Sequence, residues 1–321
     1  MIKVEGLCLS VNKKKSTFRL VRDVNYSLEQ GETLAIVGES GSGKSLITYA
    51  LLGMLNHLEG LEGTVEAFGQ KNILKASSKE IRRLRRNKIG YIPQNPRESL
   101  TPTLRIGSQL AEVVAAKTGK SRRSCRLISR NLLQPLGFSE PEKVLQMYPH
   151  QLSGGMCQRV AVAMAIASSP AAVVADEPTS SLDLLTKYEI IKVIKSAQEE
   201  QRFTLVLVTH DLDLAFKYCN KIAVVYGGRL FEMGTANELY VRPRHPYTRG
   251  LVRCFTGAGM ANSGLHYIPG EPVSIYTQFT GCRYFNRCQM RLEICEVKEP
   301  PCVRTDGRRV ACWLYGRDEG K

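Results

Sequence analysis

The sequence predicts a layered α/β fold with a doubly wound sheet, and three observations predict it. An apolar run, Leu34-Ala35-Ile36-Val37, leads into Gly38-Glu39-Ser40-Gly41-Ser42-Gly43-Lys44-Ser45 and then into a helical segment from Lys44 to about Leu55. A second buried-strand pattern, Ala171-Ala172-Val173-Val174-Ala175, ends on the acidic pair Asp176-Glu177. A third, Phe203 to Val208, ends on Thr209-His210-Asp211. Short apolar runs that carry polar residues at their C-terminal ends belong to a sheet whose chemistry sits at those ends.

The first loop matches the phosphate-binding pattern G-x-x-x-x-G-K-S/T in full. Its glycines let successive backbone N–H groups turn onto phosphates. Lys44 then reaches the β- and γ-phosphates, Ser45 takes a place on Mg²⁺, and the helix N-terminus faces the negative charge. The alternative, a glycine-rich turn with no ligand, does not account for the strand before it and the helix after it. Asp176 is positioned to hold Mg²⁺ through water, and Glu177 to orient and polarise the water that attacks the γ-phosphate. Read by itself, His210 would be a structural histidine. At the end of the third strand it reads as a γ-phosphate contact.

A further constellation, Leu152-Ser153-Gly154-Gly155-Met156-Cys157-Gln158-Arg159, opens an apolar helix running from Val160 to Ala167. Together with the phosphate loop, the Asp-Glu pair and the histidine, it resembles the nucleotide-binding domain of ATP-binding cassette (ABC) proteins. The resemblance spans roughly residues 1–240, with the motifs in the expected order. It implies a P-loop NTPase with a RecA-like core, an antiparallel β subdomain and a helical subdomain. It also implies that Gln94, in Tyr91-Ile92-Pro93-Gln94-Asn95-Pro96, contacts Mg²⁺ and the attacking water, and that Ser181-Leu182-Asp183 is the D-loop. Two positions depart from the family. Cys157 stands where Arg or Gln is commoner, and the adenine-stacking aromatic has Phe18 as its nearest candidate, at a spacing that looks short.

Ser153-Gly154-Gly155 begins a helix, so its N–H groups form another phosphate-binding end. One nucleotide is not easily held by this end and by the Lys44 loop of the same subunit. In the family the second end belongs to a facing subunit, and two ATPs are sandwiched between two domains. Ser153, Gly154, Gly155 and Asp183 are therefore expected to contact ATP in trans. The γ-phosphate closes the dimer, so hydrolysis releases it.

Taken in order, residues 1 to about 33 and 60–70 read as short strands of a small antiparallel subdomain. Residues 34–55, 87–93 and 171–233 supply the strands and helices of the core. Residues about 95–165 read as mainly helical, from the apolar spacing of Leu104, Ile106, Leu110 and Val113 and of Leu127, Leu132, Leu133 and Leu136. The expected division is a nucleotide-binding domain over 1–243 and a C-terminal extension over 244–321. Length (321 residues), hydrophobic content (43%) and charged content (23%) suit one α/β core with an appendage. No N-terminal signal and no bilayer-spanning segment is read, since the longest apolar stretch, Val160 to Ala175, is broken by Ser168-Ser169-Pro170.

The formal net charge of +15 raises a nucleic-acid reading. The basic runs Lys13-Lys14-Lys15, Arg82-Arg83-Leu84-Arg85-Arg86 and Arg122-Arg123 have no interleaved aromatics and no recognition module, so no nucleic-acid partner is expected. They read as solvated surface, some of it near anionic lipid headgroups.

The last eighty residues narrow the resemblance. His245-Pro246-Tyr247-Thr248 with Leu251, Ile268-Pro269-Gly270-Glu271-Pro272-Val273, and Gly281-Cys282-Arg283-Tyr284-Phe285-Asn286-Arg287-Cys288 resemble the C-terminal motifs of oligopeptide, dipeptide and nickel importer ATPases. Ala311-Cys312-Trp313-Leu314 departs slightly, because His is commoner than Trp there. This family resemblance implies several partners: a second ATPase, either a homologous subunit, which the family favours, or a second copy of this chain, two transmembrane permeases and an extracytoplasmic substrate-binding protein. It places the chain on the cytoplasmic face of the membrane. The substrate, whether peptide, nickel or a metal-chelating small molecule, is chosen by other subunits. A soluble ABC ATPase acting on DNA or ribosomes is the alternative. It is opposed by the lack of a second cassette, a long coiled-coil insertion or a nucleic-acid module. A regulatory subunit that binds ATP without hydrolysing it is opposed by Glu177 and His210.

Of the cysteines, Cys8, Cys125, Cys157, Cys219 and Cys254 are scattered and read as small apolar residues. Cys282, Cys288, Cys295, Cys302 and Cys312 cluster near the end. Nothing exports the chain from a reducing cytosol, so disulfides are not expected. The spacing lacks the close C-x2-C pairs of zinc ribbons. The resemblance implies a [4Fe–4S] cluster on Cys282, Cys288, Cys295 and Cys312, with Cys302 in reserve. Such a staple would suit a tail that looks too polar to bury much apolar surface.

Overall fold

The computed structural model describes residues 1–13, 16–55, 58–180, 182–257 and 267–316. They fall into two compact units. One contains Met1, Glu29–Glu32 and Lys75–Val208, and the other Ile2–Leu28, Thr33–Leu74 and Thr209–Lys321.

In the first unit three parallel strands lie side by side in the order Ile89–Ile92, Ala172–Asp176, Thr204–Thr209. Every residue of the last two is buried, as expected of parallel strands covered on both faces, and this explains why their sequences are continuous apolar runs. The helices Ser78–Asn87, Ile106–Thr118, Arg122–Leu133, Gly154–Ile166 and Leu184–Gln201 accompany them, with short turns at Pro96–Ser99 and Pro141–Gln146. Side chains cap the starts of all of these helices except Ile106–Thr118. Ser77 and Glu80 form a reciprocal capping box, Ser121 accepts the Ser124 N–H, and Asp183 accepts the Thr186 N–H at 3.0 Å.

The apolar spacing expected for this helical stretch holds only in part. Ile106, Leu110, Leu133 and Leu136 are buried, but Val113 and Leu132 are only half-buried, with Val114 taking the buried place beside Val113, Leu104 precedes its helix and Leu127 is 57% exposed. Helix Arg122–Leu133 instead buries Cys125, Ser129 and Leu133, a stripe at intervals of four that leaves Leu127 on the opposite side.

In the second unit Ile2–Lys13 pairs antiparallel with Ser16–Leu28 on one side and Gly60–Ala67 on the other. The first two strands are long, 12 and 13 residues, where the sequence suggested short ones. Register shifts break each pairing, and Gly6 supplies a positive φ within the first strand. The hairpin Lys221–Tyr226 and Arg229–Thr235 follows in the same sheet, with Thr33–Val37 parallel to its first strand. Gly227 and Gly228 turn the hairpin at φ 52° and 79°. Helices Lys44–Leu52, Leu212–Tyr218, Ala236–Val241 and Pro246–Gly257 complete the unit.

The chain end adds the small hairpin Cys302–Thr305 and Arg308–Ala311, whose second strand pairs antiparallel with Arg229–Thr235. The expectation that this end buries little apolar surface is overturned. Tyr284 enters a buried aromatic cluster with Tyr226, Phe231, His245 and Tyr247, with the Tyr226–Tyr247 centroids 4.7 Å apart, and Val310 and Trp313 are buried too. The tail sequence is polar because its arginines are numerous, and three of them (Arg283, Arg287 and Arg308) are themselves buried. Among the described residues no helix is long and apolar enough to cross a membrane.

Gly228 and Gly69 both have positive φ, but only Gly228 lies against backbone: a Cβ there would overlap the Leu20 carbonyl oxygen, whereas one on Gly69 meets nothing. Gly69→Ala should therefore cost about 1 kcal/mol from conformation alone, and Gly228→Ala at least about 3 kcal/mol. Denaturant unfolding of the two variants tests this, and equal losses would contradict the close approach.

Candidate functional site

The glycine-rich loop lies in the second unit, between strand Thr33–Val37 and helix Lys44–Leu52. Asn220 anchors the strand's start, its Oδ1 accepting the Thr33 N–H at 3.1 Å and the Thr33 hydroxyl at 2.8 Å. Gly41 and Gly43 have φ of 73° and 96°, and a Cβ on Gly38 would overlap the Val225 carbonyl oxygen. Gly43 caps the helix in a left-handed conformation, without a side-chain hydrogen bond. Lys44 is buried, and its Nζ donates to the carbonyls of Gly38 and Glu39, each at 3.0 Å. Ser42 is buried, Ser40 and Gly41 are exposed, and Ser45 and Glu39 are half-buried.

Two more predicted residues belong to this unit. Phe18 is half-buried and meets Tyr276 edge to face, with centroids 6.2 Å apart. It lines an open cavity of about 800 Å³ together with Arg19, Thr277 and Phe279. His210 is exposed at the end of strand Thr204–Thr209, just before Asp211 caps helix Leu212–Tyr218 by accepting the N–H groups of Asp213 and Leu214.

The first unit holds the acidic pair. Asp176 is the buried last residue of its strand. Glu177 follows at φ 44°, the left-handed region that a non-glycine residue occupies only under constraint. Its N–H is held by the Val208 carbonyl at 3.0 Å. Gln94, exposed beyond strand Ile89–Ile92, donates its amide to Glu177 Oε2 at 3.2 Å. The two residues read separately from sequence are thus brought together.

Ser153, Gly154, Gly155 and Asp183 are also brought together, lining one cavity of about 490 Å³ with Arg159 and Glu189. Ser153 caps helix Gly154–Ile166 by accepting the Met156 N–H at 3.2 Å. A Cβ on Gly155 would lie 2.9 Å from the Thr186 methyl, so the helix starts close against its neighbour. Thr186 also hydrogen-bonds Asp183, which holds that carboxyl below the usual carboxylate range. Cys157 points inward, fully buried, with its thiol toward the Pro149 carbonyl at 3.7 Å. An Arg or Gln there would have to leave that position. Ser181 lies outside the described residues.

The tail cysteines separate. Cys282, Cys295 and Cys312 are buried and Cys288 is half-buried. Burial pushes the Cys282 thiol up to about 12, and the nearby Cys295, Cys312 and Cys288 add to the shift. Burial likewise raises Cys312 to about 11, with Cys288 and Cys295 adding. The Cys282 N–H also donates to the Cys295 carbonyl at 2.7 Å, which joins these two segments of the tail. Cys302 is exposed, and the charges acting on it are those of Arg309, Arg229, Asp23 and Arg304 rather than those of the other cysteines. Among the described residues no group of three or more His, Cys, Asp or Glu side chains is set at metal-binding spacing.

Three residues that sequence reasoning missed touch the loop or the candidate aromatic. Tyr247 accepts the Glu39 N–H at 3.2 Å, Arg287 pairs with the Glu39 carboxylate at 2.8 Å, and Tyr276 meets Phe18. Tyr247 and Arg287 lie inside the tail motifs, but nothing local marks them as reaching back more than 200 positions.

Comparisons with known proteins agree with this arrangement. The ABC transporter family matches residues 21–180, and the family described as oligopeptide/dipeptide transporter, C-terminal region, matches residues 231–295. The chain is 34% identical to the dipeptide transport ATP-binding protein DppD of Bacillus subtilis, over 98% of this chain and 94% of that protein. It is 36% identical to the oligopeptide transport ATP-binding protein OppD of Salmonella typhimurium, over 96% and 94% of the two chains. The dimeric ATP-binding cassette MJ0796, solved in a post-hydrolysis state with ADP and Pi, superposes with a TM-score of 0.66 at 28% identity, covering 74% of this chain and 99% of its own. Motif order, loop geometry and full-length similarity together make this chain a member of the ABC transporter family, among the ATP-binding subunits of dipeptide and oligopeptide transporters.

Proposed function

We propose that this chain is the ATP-hydrolysing subunit of an importer for short peptides, and that Glu177 is its catalytic base. The observation that carries the assignment is the constrained Glu177 backbone with its carboxylate hydrogen-bonded by Gln94. A carboxylate fixed in this way can orient and polarise the attacking water, and His210 contacts the γ-phosphate. Gly38, Glu39, Ser40, Gly41, Ser42 and Gly43 form the loop that wraps the phosphates. Lys44 exchanges its two carbonyl partners for phosphate oxygens, and Phe18 stacks on adenine. Ser45, Gln94 and Asp176 offer the hydroxyl, amide and carboxylate oxygens that suit Mg²⁺. When bound, Mg²⁺ neutralises charge on the β- and γ-phosphates.

Ser153, Gly154, Gly155 and Asp183 complete the nucleotide site of a facing ATPase. The dimeric state of the similar cassette supports this reading. The facing subunit is a homologous, different ATPase, and two permeases and an extracytoplasmic substrate-binding protein complete the importer. The chain then sits at the cytoplasmic face. The names of its relatives favour dipeptides or oligopeptides over nickel or metal chelates. Residues 1–243 serve as the nucleotide-binding domain, with the helical part at about 95–165 next to the permeases, and 244–321 as the extension.

Within that Cys-rich extension Cys282, Cys288, Cys295 and Cys312 would hold a [4Fe–4S] cluster. The backbone hydrogen bond from the Cys282 N–H to the Cys295 carbonyl at 2.7 Å and the burial of Cys282, Cys295 and Cys312 support this donor set, and the exposed Cys302 is left out of it. Such a cluster would serve as a structural staple.

In the assembled transporter, Glu177→Gln should leave ATP binding intact and lower turnover by about a hundredfold or more. Turnover at the normal rate would reject Glu177 as the base. Anaerobically purified protein should contain iron and sulfide and absorb broadly in the visible. Cys288→Ser should abolish both signals while Cys302→Ser retains them, and loss with Cys302→Ser instead would refute the ligand set. A cysteine at Ser40 should crosslink, in ATP and the Glu177→Gln background, to one placed at the signature serine of the facing subunit. A failure to crosslink under those conditions would count against the sandwich.

A further inference from the structure

The segment between the first two tail cysteines reaches the phosphate loop. Arg287, next to Cys288, is 8% exposed, and its guanidinium joins three separate pieces of chain. Nη1 donates to Glu39 Oε2 at 2.8 Å and to the Tyr226 hydroxyl at 3.3 Å. Nε donates to the Pro269 carbonyl at 2.8 Å, and Nη2 to the Ile268 carbonyl at 3.3 Å. The group also lies over the rings of Tyr226 and Tyr284, 5.7 and 6.0 Å from their centroids. Burial opposes the Arg287 charge, but the hydrogen bonds to Glu39 and Tyr226 outweigh it and hold the group above the usual guanidinium range.

Four residues earlier, Arg283 is buried as well. Its Nη1 donates to the Gly227 carbonyl and its Nη2 to the Arg19 carbonyl at 3.1 Å. Gly227 precedes Gly228, whose N–H donates to the Ser42 carbonyl at 2.7 Å. One short stretch of the tail thus grips the loop at two points, through Glu39 directly and through the hairpin turn behind Ser42.

Burying a guanidinium is costly unless acceptors meet its N–H groups, and a well-placed anion offsets its charge most directly. Here that anion is a residue of the loop itself, at a position which the phosphate-binding pattern leaves open to any side chain. The Glu39 carboxylate is therefore not required for contact with phosphate. Its main-chain carbonyl, however, accepts a hydrogen bond from Lys44 Nζ at 3.0 Å. Displacing Glu39 would displace an anchor of the lysine.

We infer that Arg287 is a positioning residue for ATP binding: its pair with Glu39 fixes the first turn of the phosphate loop, so nucleotide affinity depends on how the Cys282–Cys288 segment is seated. The inference rests on Gly38–Ser45 being the loop that holds ATP.

Competition of ATP against a fluorescent trinitrophenyl-ATP probe on the full-length chain tests it, with thermal melting followed in parallel. Arg287→Met should raise the Kd for ATP about tenfold, and Arg287→Lys should restore most of the affinity. Glu39→Gln should raise Kd to a similar extent, and the double variant should bind no more weakly than either single one. A lowered melting temperature with unchanged Kd, or additive losses in the double variant, would overturn the inference. If Arg287→Met fails to fold, Glu39→Gln decides, and wild-type affinity there would overturn it equally. Lys44→Ala separates the two readings. Normal ATP binding by that variant would remove the phosphate-loop assignment itself. Lost binding there, with full affinity in Arg287→Met, would remove only the role of Arg287.

Discussion

The 2.7 Å hydrogen bond from the Gly228 N–H to the Ser42 carbonyl is the joint on which the seating of the glycine-rich loop depends. It ties the phosphate loop to the turn between strands Lys221–Tyr226 and Arg229–Thr235. The turn can come that close only because it has no side chains. Gly227 and Gly228 take left-handed φ, and Gly228 lies against the Leu20 backbone on one side and Gly43 on the other. Gly38 makes the matching approach to Val225. The loop is thereby braced by backbone at Gly228 and Gly38 and by the Arg287 and Tyr247 side chains at Glu39.

The two units solve different problems with similar means. In the second unit glycines allow close approach. In the first, strain is accepted at one side chain: Glu177 takes a positive φ directly after a fully buried strand, and hydrogen bonds from its own N–H and from Gln94 hold it there. The Glu177 backbone is thus fixed by two neighbouring parallel strands. Fixed geometry of this kind lowers the cost of reorganisation when charge develops. The helix opening at Ser153 adds a capped, exposed N-terminus that a ligand can approach.

Much of this was legible in the sequence because it is local. The strand-loop-helix around Lys44, the buried strand ending on Asp176 and the Ser153 cap each follow from a few neighbouring residues. Pairings across long separations were not legible. The apolar count of helix Arg122–Leu133 misled at Leu127, because Cys125 and Ser129 take the buried stripe. The tail misled more, because its arginines look solvated in a linear reading. Arg283, Arg287 and Arg308 are buried because backbone carbonyls and the carboxylates Glu39 and Glu232 meet them, partners that lie far away in sequence. Tyr284 joins a core assembled from the hairpin and from helix Pro246–Gly257, which no periodicity within the tail encodes.

The most direct measurement is a structure of the assembled transporter bound to Mg²⁺ and a non-hydrolysable ATP analogue. The account predicts the β- and γ-phosphates on the N–H groups of Gly41–Ser45, with Lys44 Nζ released from the Gly38 and Glu39 carbonyls. It also predicts the helix end at Ser153 against the γ-phosphate of the facing subunit's nucleotide. Phosphates bound elsewhere, or a nucleotide enclosed by this one subunit alone, would contradict it.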